Sequence, residues 1–246
     1  MYKVLIIINA QQVSNQGTIL SISPATQQMT ATLKDAIKTQ TEEETIVKVV
    51  PTYQLLSPNH PYEVDDPSWI FCPLTIEFPP QFEFPGAKLF KFCHDVKSTR
   101  QWVEEKFRFR TANKIKQIWH GNYWLPIVLT AKGPIYGEVI GEGELPNSYQ
   151  QPVDFPDEER QPLYRLGYQF LDSLSAQPGV YLLQFGFQDE TLIFDRVWPF
   201  PAAPALASVG VQEPNLYSCH WQCLIEHPIR DVVIASTTHN QSLKAM

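Results

Sequence analysis

The chain has 246 residues, of which 43% are hydrophobic and 18% charged, and its formal net charge is −7 at pH 7. Burial of that much apolar surface offsets the entropy lost on folding, so the composition excludes a disordered chain. The negative charge disfavours nucleic acids and anionic membrane surfaces as partners. The apolar run Val4 to Ile8 is far shorter than the roughly 20 residues that span a bilayer, so we expect a soluble, cytoplasmic protein without a membrane span.

The first fifty residues predict a strand, a helix and a second strand. Lys3 to Ile8 is an almost continuous apolar run, typical of a strand covered on both faces. Ser23 and Pro24 supply an N-cap and a first helical residue, and apolar residues at helical spacing continue to about Lys38. Thr45 to Val50 is rich in β-branched residues and predicts the next strand. This alternation favours parallel strands joined by a right-handed crossover.

The middle of the chain is punctuated by prolines and predicts short elements. Short strands are expected at Trp69–Cys72, Leu74–Phe78 and Lys88–Cys93. Asp95 is then a good N-cap for a helix. Residues 127–143 predict a hairpin with a Lys-Gly turn, and residues 147–157 form a polar, proline-rich linker.

The carboxyl-terminal third begins with the clearest helical pattern in the chain. Asp157 caps this helix, and its apolar stripe continues to Leu174. Gly179 to Pro201 then predicts a β-hairpin, because two apolar runs flank a short polar turn at residues 188–190. Two last strands are expected at residues 216–226 and 231–235.

Together these elements predict a mixed α/β protein. We expect a central mixed sheet, an N-terminal strand-helix-strand unit and a C-terminal helix plus β-hairpin. A chain of this length accommodates two lobes, which we place at residues 1–92 (α/β) and 93–246 (α+β). One continuous domain is the alternative.

Several enzyme classes are excluded by the motifs that the sequence lacks. Gly17 is the only glycine between the first predicted strand and the first predicted helix, which excludes a dinucleotide fingerprint and a phosphate-binding P-loop there. A G-x-S-x-G nucleophile elbow is also missing. We therefore assign no catalytic residue.

The four cysteines are too few for a disulfide framework in a chain of this length, so we expect reduced thiols. Cys219, His220 and Cys223 form the one local cluster of side chains that bind metals. Their C-x3-C spacing differs from the C-x2-C spacing of structural zinc sites. Burial of cysteine as a small apolar residue is the favoured interpretation, and the three residues are weak candidates for a metal site.

Acidic residues give a second candidate site. Glu138, Glu142 and Glu144 occur at even spacing around a predicted strand and therefore share one face. The favoured interpretation is the solvent-exposed face of a half-buried strand. The functional interpretation is a cation or phosphate environment that Asp195 completes.

Residues from about 90 to 201 resemble ATP-grasp proteins. The resemblance rests on the run WLPIVLTAKGPIYGEVIGEGE, the amphipathic helix that follows it, and the run GVYLLQFGFQDETLIFDRVWPFP. The amino-terminal strand-helix-strand unit resembles the domain that precedes the nucleotide-binding part of such enzymes. The resemblance implies Mg-ATP as cofactor, a lysine that contacts ATP, and acidic Mg²⁺ ligands on the paired strands.

The chain departs from that pattern at several positions, and Val197-Trp198-Pro199 replaces the Asn-x-Arg-like element that the pattern places after Asp195. Thr130 stands where the lysine is expected, with Lys132 two residues later, and Gln184 replaces one acidic ligand. The resemblance therefore implies a degenerate ATP-grasp-like protein. The cofactor-binding candidates are Lys132, Glu138, Asp195 and Arg196. For Asp195, a structural ion pair or hydrogen bond in a mostly buried hairpin is the favoured interpretation.

A non-enzymatic binding or assembly protein is the function that the sequence favours. The 21 prolines, the six tryptophans and the aromatic runs Phe78–Phe84 and Trp198–Phe200 are typical of a rigid surface for a protein partner. One alternative is an ATP-grasp-like nucleotide-binding protein or ligase, active or inactive. Another is a small-ligand or pigment-binding protein whose aromatic residues line a pocket.

Overall fold

The computed structural model describes residues 1–13, 19–56, 68–112 and 120–235. Its amino-terminal part is a three-stranded parallel sheet in the order β4-β1-β5, accompanied by one long helix and a short antiparallel strand pair. The elements are β1 (Tyr2–Ile8), β2 (Gln12–Val13), β3 (Ile19–Ser21), α1 (Pro24–Gln40), β4 (Thr45–Pro51) and β5 (Trp69–Pro73). A 3₁₀-helix at Thr52–Leu56 follows β4. The predicted strand-helix-strand unit is therefore confirmed.

Local sequence explains these first elements. β1 lies between two partner strands, and its last five residues are fully buried, which accounts for its unbroken apolar run. The Ser23 hydroxyl accepts a hydrogen bond from the backbone N–H of Thr26 at 3.1 Å and caps α1. Leu33 and Ile37 lie on the buried face of that helix.

The larger part of the chain is built on a six-stranded antiparallel sheet in the order β11-β10-β6-β8-β9, with β7 paired to β6. Its strands are β6 (Tyr123–Thr130), β7 (Gly133–Tyr136), β8 (Val139–Glu142), β9 (Tyr149–Val153), β10 (Gly179–Gln188) and β11 (Thr191–Trp198). The predicted hairpin at Gly179–Pro201 is the antiparallel pair of β10 and β11. Eight of the ten residues of β10 are buried, so this hairpin lies in the core.

Helices cover both faces of this sheet. They are α2 (Ala87–His94), α3 (Val96–Phe107), α4 (Asp157–Ser173) and α5 (Leu216–Leu224). The carboxyl-terminal part also contains a 3₁₀-helix at Ala203–Ser208 and the short pair β12 (Gln212–Glu213) and β13 (Val233–Ile234). The mixed α/β fold class is confirmed, and no helix within the described residues has both the length and the apolar character needed to cross a bilayer.

The alternation of side chains along β6 and β10 separates two hydrophobic cores. Leu125 and Leu183 point to the core that α3 and α4 cover, where Phe170 is fully buried. Val128 and Leu182 point to the opposite core, which α5 and the amino-terminal unit cover. The β10 strand is therefore buried on both faces, as its continuous apolar sequence requires.

Two segments predicted as strands are helices. Residues 88–93 belong to α2, whose buried positions Leu89, Phe90 and Cys93 follow helical spacing. Residues 216–224 form α5, whose N-cap Asn215 accepts hydrogen bonds from two backbone N–H groups at 3.0 Å. Both segments are short and apolar, and periodicity does not separate a helix from a strand when nearly every position is buried.

Two further predictions are wrong at the level of single elements. Residues 74–78 are irregular, because the chain leaves the parallel sheet after Pro73 and packs Phe78 among other phenylalanine rings. The predicted linker at residues 147–157 contains β9, which pairs with β8 at the sheet edge. An edge strand tolerates the polar residues and proline that suggested a loop.

Candidate functional site

A cleft of about 370 Å³ lies between the amino-terminal unit and the six-stranded sheet. On one side it is lined by residues that follow β1 and β5 and by the first turn of α1, so it opens at the carboxyl ends of parallel strands, where α/β proteins commonly bind ligands. On the other side it is lined by β6, β9, β10 and β11. The principal lining residues are Asn9, Thr26, Thr75, Glu77, Trp124, Tyr149, Gln184, Trp198 and Phe200.

Aromatic side chains form one wall of this cleft, which we call the aromatic wall: Trp124, Tyr149, Trp198 and Phe200. The ring centroids of Trp124 and Tyr149 are 5.4 Å apart, and those of Trp198 and Phe200 are 6.1 Å apart, both edge to face. The buried Nε1 atom of Trp124 has no hydrogen-bond partner among the described residues. Such a wall suits a planar ring, because aromatic faces stack on flat ligands.

Asn9 and Glu77 line the end of the cleft that follows the parallel strands of the amino-terminal unit. The side-chain amide of Asn9 donates to the Glu77 carboxylate at 2.7 Å. Glu77 is the one charged residue among the described residues that line the cleft. Its carboxylate makes this end suitable for a hydrogen-bond donor or a cationic group.

Positive charge lies just beyond the aromatic wall. The Arg196 guanidinium carbon is 5.6 Å from the centroid of the Trp198 ring, a cation–π arrangement. One of its terminal nitrogens is 3.4 Å from Nδ1 of His120, whose side chain is 62% exposed. Arg196 therefore forms a cationic rim next to the aromatic wall, with the exposed His120 side chain beside it.

Arg196 also belongs to a cluster of polar groups, which we call the Asp195 cluster: the side chains of Arg100, Gln184, Asp195 and Arg196 and the backbone of Gly121. The Asp195 side chain is fully buried. Arg100 on α3 forms an ion pair with its Oδ1 atom and donates to its backbone oxygen at 2.9 Å. The backbone N–H of Gly121 donates to Oδ2 at 2.8 Å, and Arg196 Nε lies 3.3 Å from Oδ1. The favoured interpretation of a buried, paired Asp195 agrees with these contacts.

A β-bulge explains why Asp195 can reach these partners. Gln184 pairs with Arg196 and Phe185 pairs with Phe194, so Asp195 is an extra residue on β11. Bulges redirect a side chain relative to the regular alternation of a strand. A methyl group on Gly121 would lie 2.4 Å from the Phe185 backbone oxygen, so the approach of residue 121 to β10 requires glycine.

The Gln184 amide is hydrogen-bonded through both its nitrogen and its oxygen. Its amide nitrogen donates to the Gly121 backbone oxygen at 2.5 Å, and its amide oxygen accepts from the Trp198 indole at 2.9 Å. Gly121 therefore joins the side chains of Gln184 and Asp195 through its two backbone groups. The Trp198 bond links the Asp195 cluster to the aromatic wall.

The structure brings together only two of the four cofactor-binding candidates. Asp195 and Arg196 are adjacent in the cluster. Lys132 is exposed in the turn after β6, whereas Gly121 precedes that strand, which spans roughly 23 Å at about 3.3 Å per residue. Glu138 lies between β7 and β8 and pairs with Arg160 at 3.2 Å.

The other acidic and metal-binding candidates have separate environments. Glu142 and Glu144 are exposed at and beyond the end of β8. Cys219, His220 and Cys223 are buried on α5, where burial raises the pKa of both thiols and lowers that of His220 to about 4. No group of three or more His, Cys, Asp or Glu residues in the described part of the chain is placed to hold a metal ion.

The Mg²⁺ implied by the ATP-grasp resemblance does not fit the residues at this position. The Asp195 carboxylate is already paired with Arg100, and Gln184 offers a neutral amide in place of a second carboxylate. Mg²⁺ requires oxygen ligands at about 2.0–2.1 Å, usually including carboxylates. The described residues around Asp195 therefore do not form a Mg²⁺ site.

Sequence reasoning missed most of the cleft. Asn9 carried a usable signal, because it directly follows the first predicted strand and the carboxyl ends of parallel strands meet at one edge. Glu77 carried none, because it lies within residues 74–78, which the sequence predicted to be a strand. Arg100 carried none, since it is 95 residues from Asp195 in the chain. The assignment of Trp198–Phe200 to a partner surface is wrong, because Trp198 and Phe200 line the cleft. In the other aromatic run, Phe82 and Phe84 are buried.

Comparison with known proteins gives structural matches alone. No family model and no curated protein sequence matches the chain. N5-carboxyaminoimidazole synthetase from Staphylococcus aureus superposes with a TM-score of 0.67 at 7% identity, over 95% of this chain and 80% of that protein. L-amino acid ligase from Bacillus licheniformis has a TM-score of 0.57 at 10% identity, over 91% of this chain and 74% of that protein.

A third match was solved with ligands. N5-carboxyaminoimidazole synthase from Aspergillus clavatus, in complex with ADP and 5-aminoimidazole ribonucleotide, has a TM-score of 0.59 at 7% identity, over 93% of this chain and 78% of that protein. These proteins are ATP-grasp-type enzymes, so the ATP-grasp-like resemblance is confirmed at the level of the fold. The structural match extends across nearly the whole chain, well beyond residues 90–201.

The same matches correct two expectations about function. A non-enzymatic binding or assembly protein was the favoured interpretation, but the structural neighbours are synthetases and ligases, which support the nucleotide-binding ligase alternative better. The sequence also leaned, without deciding, against an enzyme, and this expectation is overturned on the same ground, because the fold that the chain shares is found in these enzymes.

Proposed function

We propose that the chain is an ATP-grasp-like nucleotide-binding ligase whose ligands bind in the cleft. The observation that carries the proposal is the position of the Arg196 guanidinium against Trp198, at the point where the aromatic wall meets the cationic rim. An aromatic ring face next to fixed positive charge is complementary to a nucleotide, which joins a planar base to an anionic phosphate chain. The enzyme fold of the structural neighbours supports the same proposal.

Each part of the cleft then has a distinct role. The base stacks on the aromatic wall, and the phosphates extend toward Arg196 and His120. Asn9 and Glu77 line the end of the cleft that lies beyond the strands of the parallel sheet. Their oxygen atoms accept hydrogen bonds, so that end suits an amine or another donor group of the second substrate.

The proposal is tested by titrating ADP into the protein and measuring affinity by calorimetry and by thermal unfolding. A ligand that binds only the native state at about 100 times its Kd stabilises the protein by roughly 2.7 kcal/mol. We expect Arg196→Gln and Trp198→Leu each to weaken ADP binding about tenfold or more, which corresponds to about 1.4 kcal/mol.

Matched controls make the same chemical changes away from the cleft. Arg165→Gln alters an exposed arginine on α4, and Trp102→Leu alters a tryptophan that packs against Phe92 and Phe170 in the opposite core. Both should leave ADP affinity unchanged. The proposal is wrong if millimolar ADP and ATP neither bind nor shift the melting temperature, or if the controls weaken binding as much as the cleft variants.

A further inference from the structure

We propose that the Arg100 guanidinium occupies the role of a divalent cation at Asp195, so that the site binds its nucleotide without Mg²⁺. The first part concerns the Asp195 cluster alone. The second part, nucleotide binding without a metal, rests on the proposed function.

The coordination of the Asp195 carboxylate carries the first part. Its two oxygens receive donors from Arg100, Arg196 and the Gly121 backbone, and the side chain is fully buried. A divalent cation that approached Oδ1 would be close to two guanidinium groups of the same sign. The repulsion between that cation and the two guanidinium groups is strong in a buried environment, where little solvent screens it.

The second possible ligand does not compensate for that repulsion. A carboxylate at residue 184 would add a negative charge, but Gln184 is neutral, and its oxygen already accepts from the Trp198 indole. Among the charged members of the Asp195 cluster, one carboxylate and two guanidinium groups leave a net charge of +1. A cluster with net positive charge repels cations and attracts anions.

The same geometry leaves Arg196 available to an anionic ligand. Arg100 makes both the short ion pair and a bond to the Asp195 backbone oxygen, so it neutralises the buried carboxylate by itself. Arg196 makes a longer contact to Asp195 and extends along Trp198 toward the rim. Arg100 thus supplies the positive charge that a metal ion would give to Asp195, and Arg196 supplies the charge that faces the phosphates.

Mn²⁺ is the probe for the first part, since the electron paramagnetic resonance signal of free Mn²⁺ reports how much metal the protein binds. We expect wild-type protein and Asp195→Asn to bind equal amounts of Mn²⁺, with Asp154→Asn as a control at an exposed carboxylate. A site in the wild type that Asp195→Asn removes and Asp154→Asn keeps would overturn the proposal.

A gain of metal binding gives an independent test that does not depend on the stability of Asp195→Asn. The double variant Arg100→Gln/Gln184→Glu removes the competing cation and adds a second carboxylate. We expect it to bind Mn²⁺ about tenfold or more tightly than the wild type, and Mn²⁺ to raise its melting temperature and not that of the wild type. Stronger Mn²⁺ binding by the wild type than by the double variant would contradict the role that we propose for Arg100.

The second part is tested by measuring ADP affinity in Mg²⁺ buffer and in EDTA. We expect the two dissociation constants to agree within about twofold, whereas a loss of about tenfold or more in EDTA would show that binding needs the metal. If ADP binds in neither buffer, the proposed function fails, and the Mn²⁺ experiments still decide the role of Arg100.

Discussion

At the scale of single residues, the stability of the protein depends on the pairing of Asp195. A buried carboxylate is tolerated only when hydrogen bonds and an opposite charge replace the water it has lost. Asp195 has both, from Arg100 and from the Gly121 backbone N–H. The same contacts that place this side chain beside the cleft therefore also hold α3 against β11.

We predict that Asp195→Asn lowers the free energy of unfolding by about 3 kcal/mol, because it leaves the largely buried Arg100 guanidinium without its counter-charge. Urea denaturation measures this change. Asp154→Asn, at a side chain that is 99% exposed, should change stability by no more than about 0.5 kcal/mol. Equal effects of the two substitutions would show that the buried ion pair contributes little.

At the scale of elements, the contact between α5 and β10 contains a buried titratable group. His220 on α5 accepts a hydrogen bond at Nδ1 from the backbone N–H of Val180, at 3.0 Å. Burial lowers its pKa to about 4. An imidazole in the unfolded chain has a pKa of about 6.5, so between these two values the unfolded chain binds a proton that the folded protein does not.

Stability should therefore fall as the pH decreases from about 7 to about 4, by roughly 3 kcal/mol from this group, and no further below pH 4. His220→Asn keeps an acceptor for the Val180 N–H and removes the titration, so its stability should depend less on pH over this range. Urea denaturation at several pH values measures the difference. His227→Asn, at an exposed histidine, is the control and should retain the wild-type slope.

At the scale of the whole molecule, one hydrophobic core joins the two halves of the chain. The core beneath α5 contains Val4 and Ile6 from β1, Leu182 from β10, and Trp221 from α5. The Trp221 indole also donates to the Thr41 hydroxyl at the end of α1, at 2.9 Å. Neither half can lose its structure without exposing apolar surface of the other.

We predict that the protein unfolds in urea as one cooperative transition. Far-ultraviolet circular dichroism reports on all helices and strands, and tryptophan fluorescence reports on both halves of the chain, so the two curves should coincide. Trp221→Ala should shift both curves together, by about 3–5 kcal/mol, because it leaves a large cavity next to Tyr2 of β1 and the end of α1. Two separated transitions would instead favour independent lobes at residues 1–92 and 93–246, a division that stays a prediction.

The sequence by itself determined the elements whose patterns are local. β1 and the β10–β11 hairpin follow from long apolar runs and a polar turn, and α1 follows from its Ser-Pro start and helical spacing. These signals depend on residues within a few positions of one another, so no knowledge of distant contacts is needed. The ATP-grasp-like resemblance was visible for the same reason, since its motifs lie along continuous segments of the chain.

Only the tertiary structure decided which side chains from distant parts of the chain meet. Arg100 meets Asp195 across 95 residues, and Asn9 meets Glu77 across 68, so no local pattern could predict either pair. The helical form of α2 and α5 was decided in the same way, because a short apolar segment adopts the conformation that best buries it. Burial and charge pairing are set by neighbours that only the folded chain brings together. These neighbours pair Asp195 with Arg100 and place Arg196 against Trp198, beside the cleft.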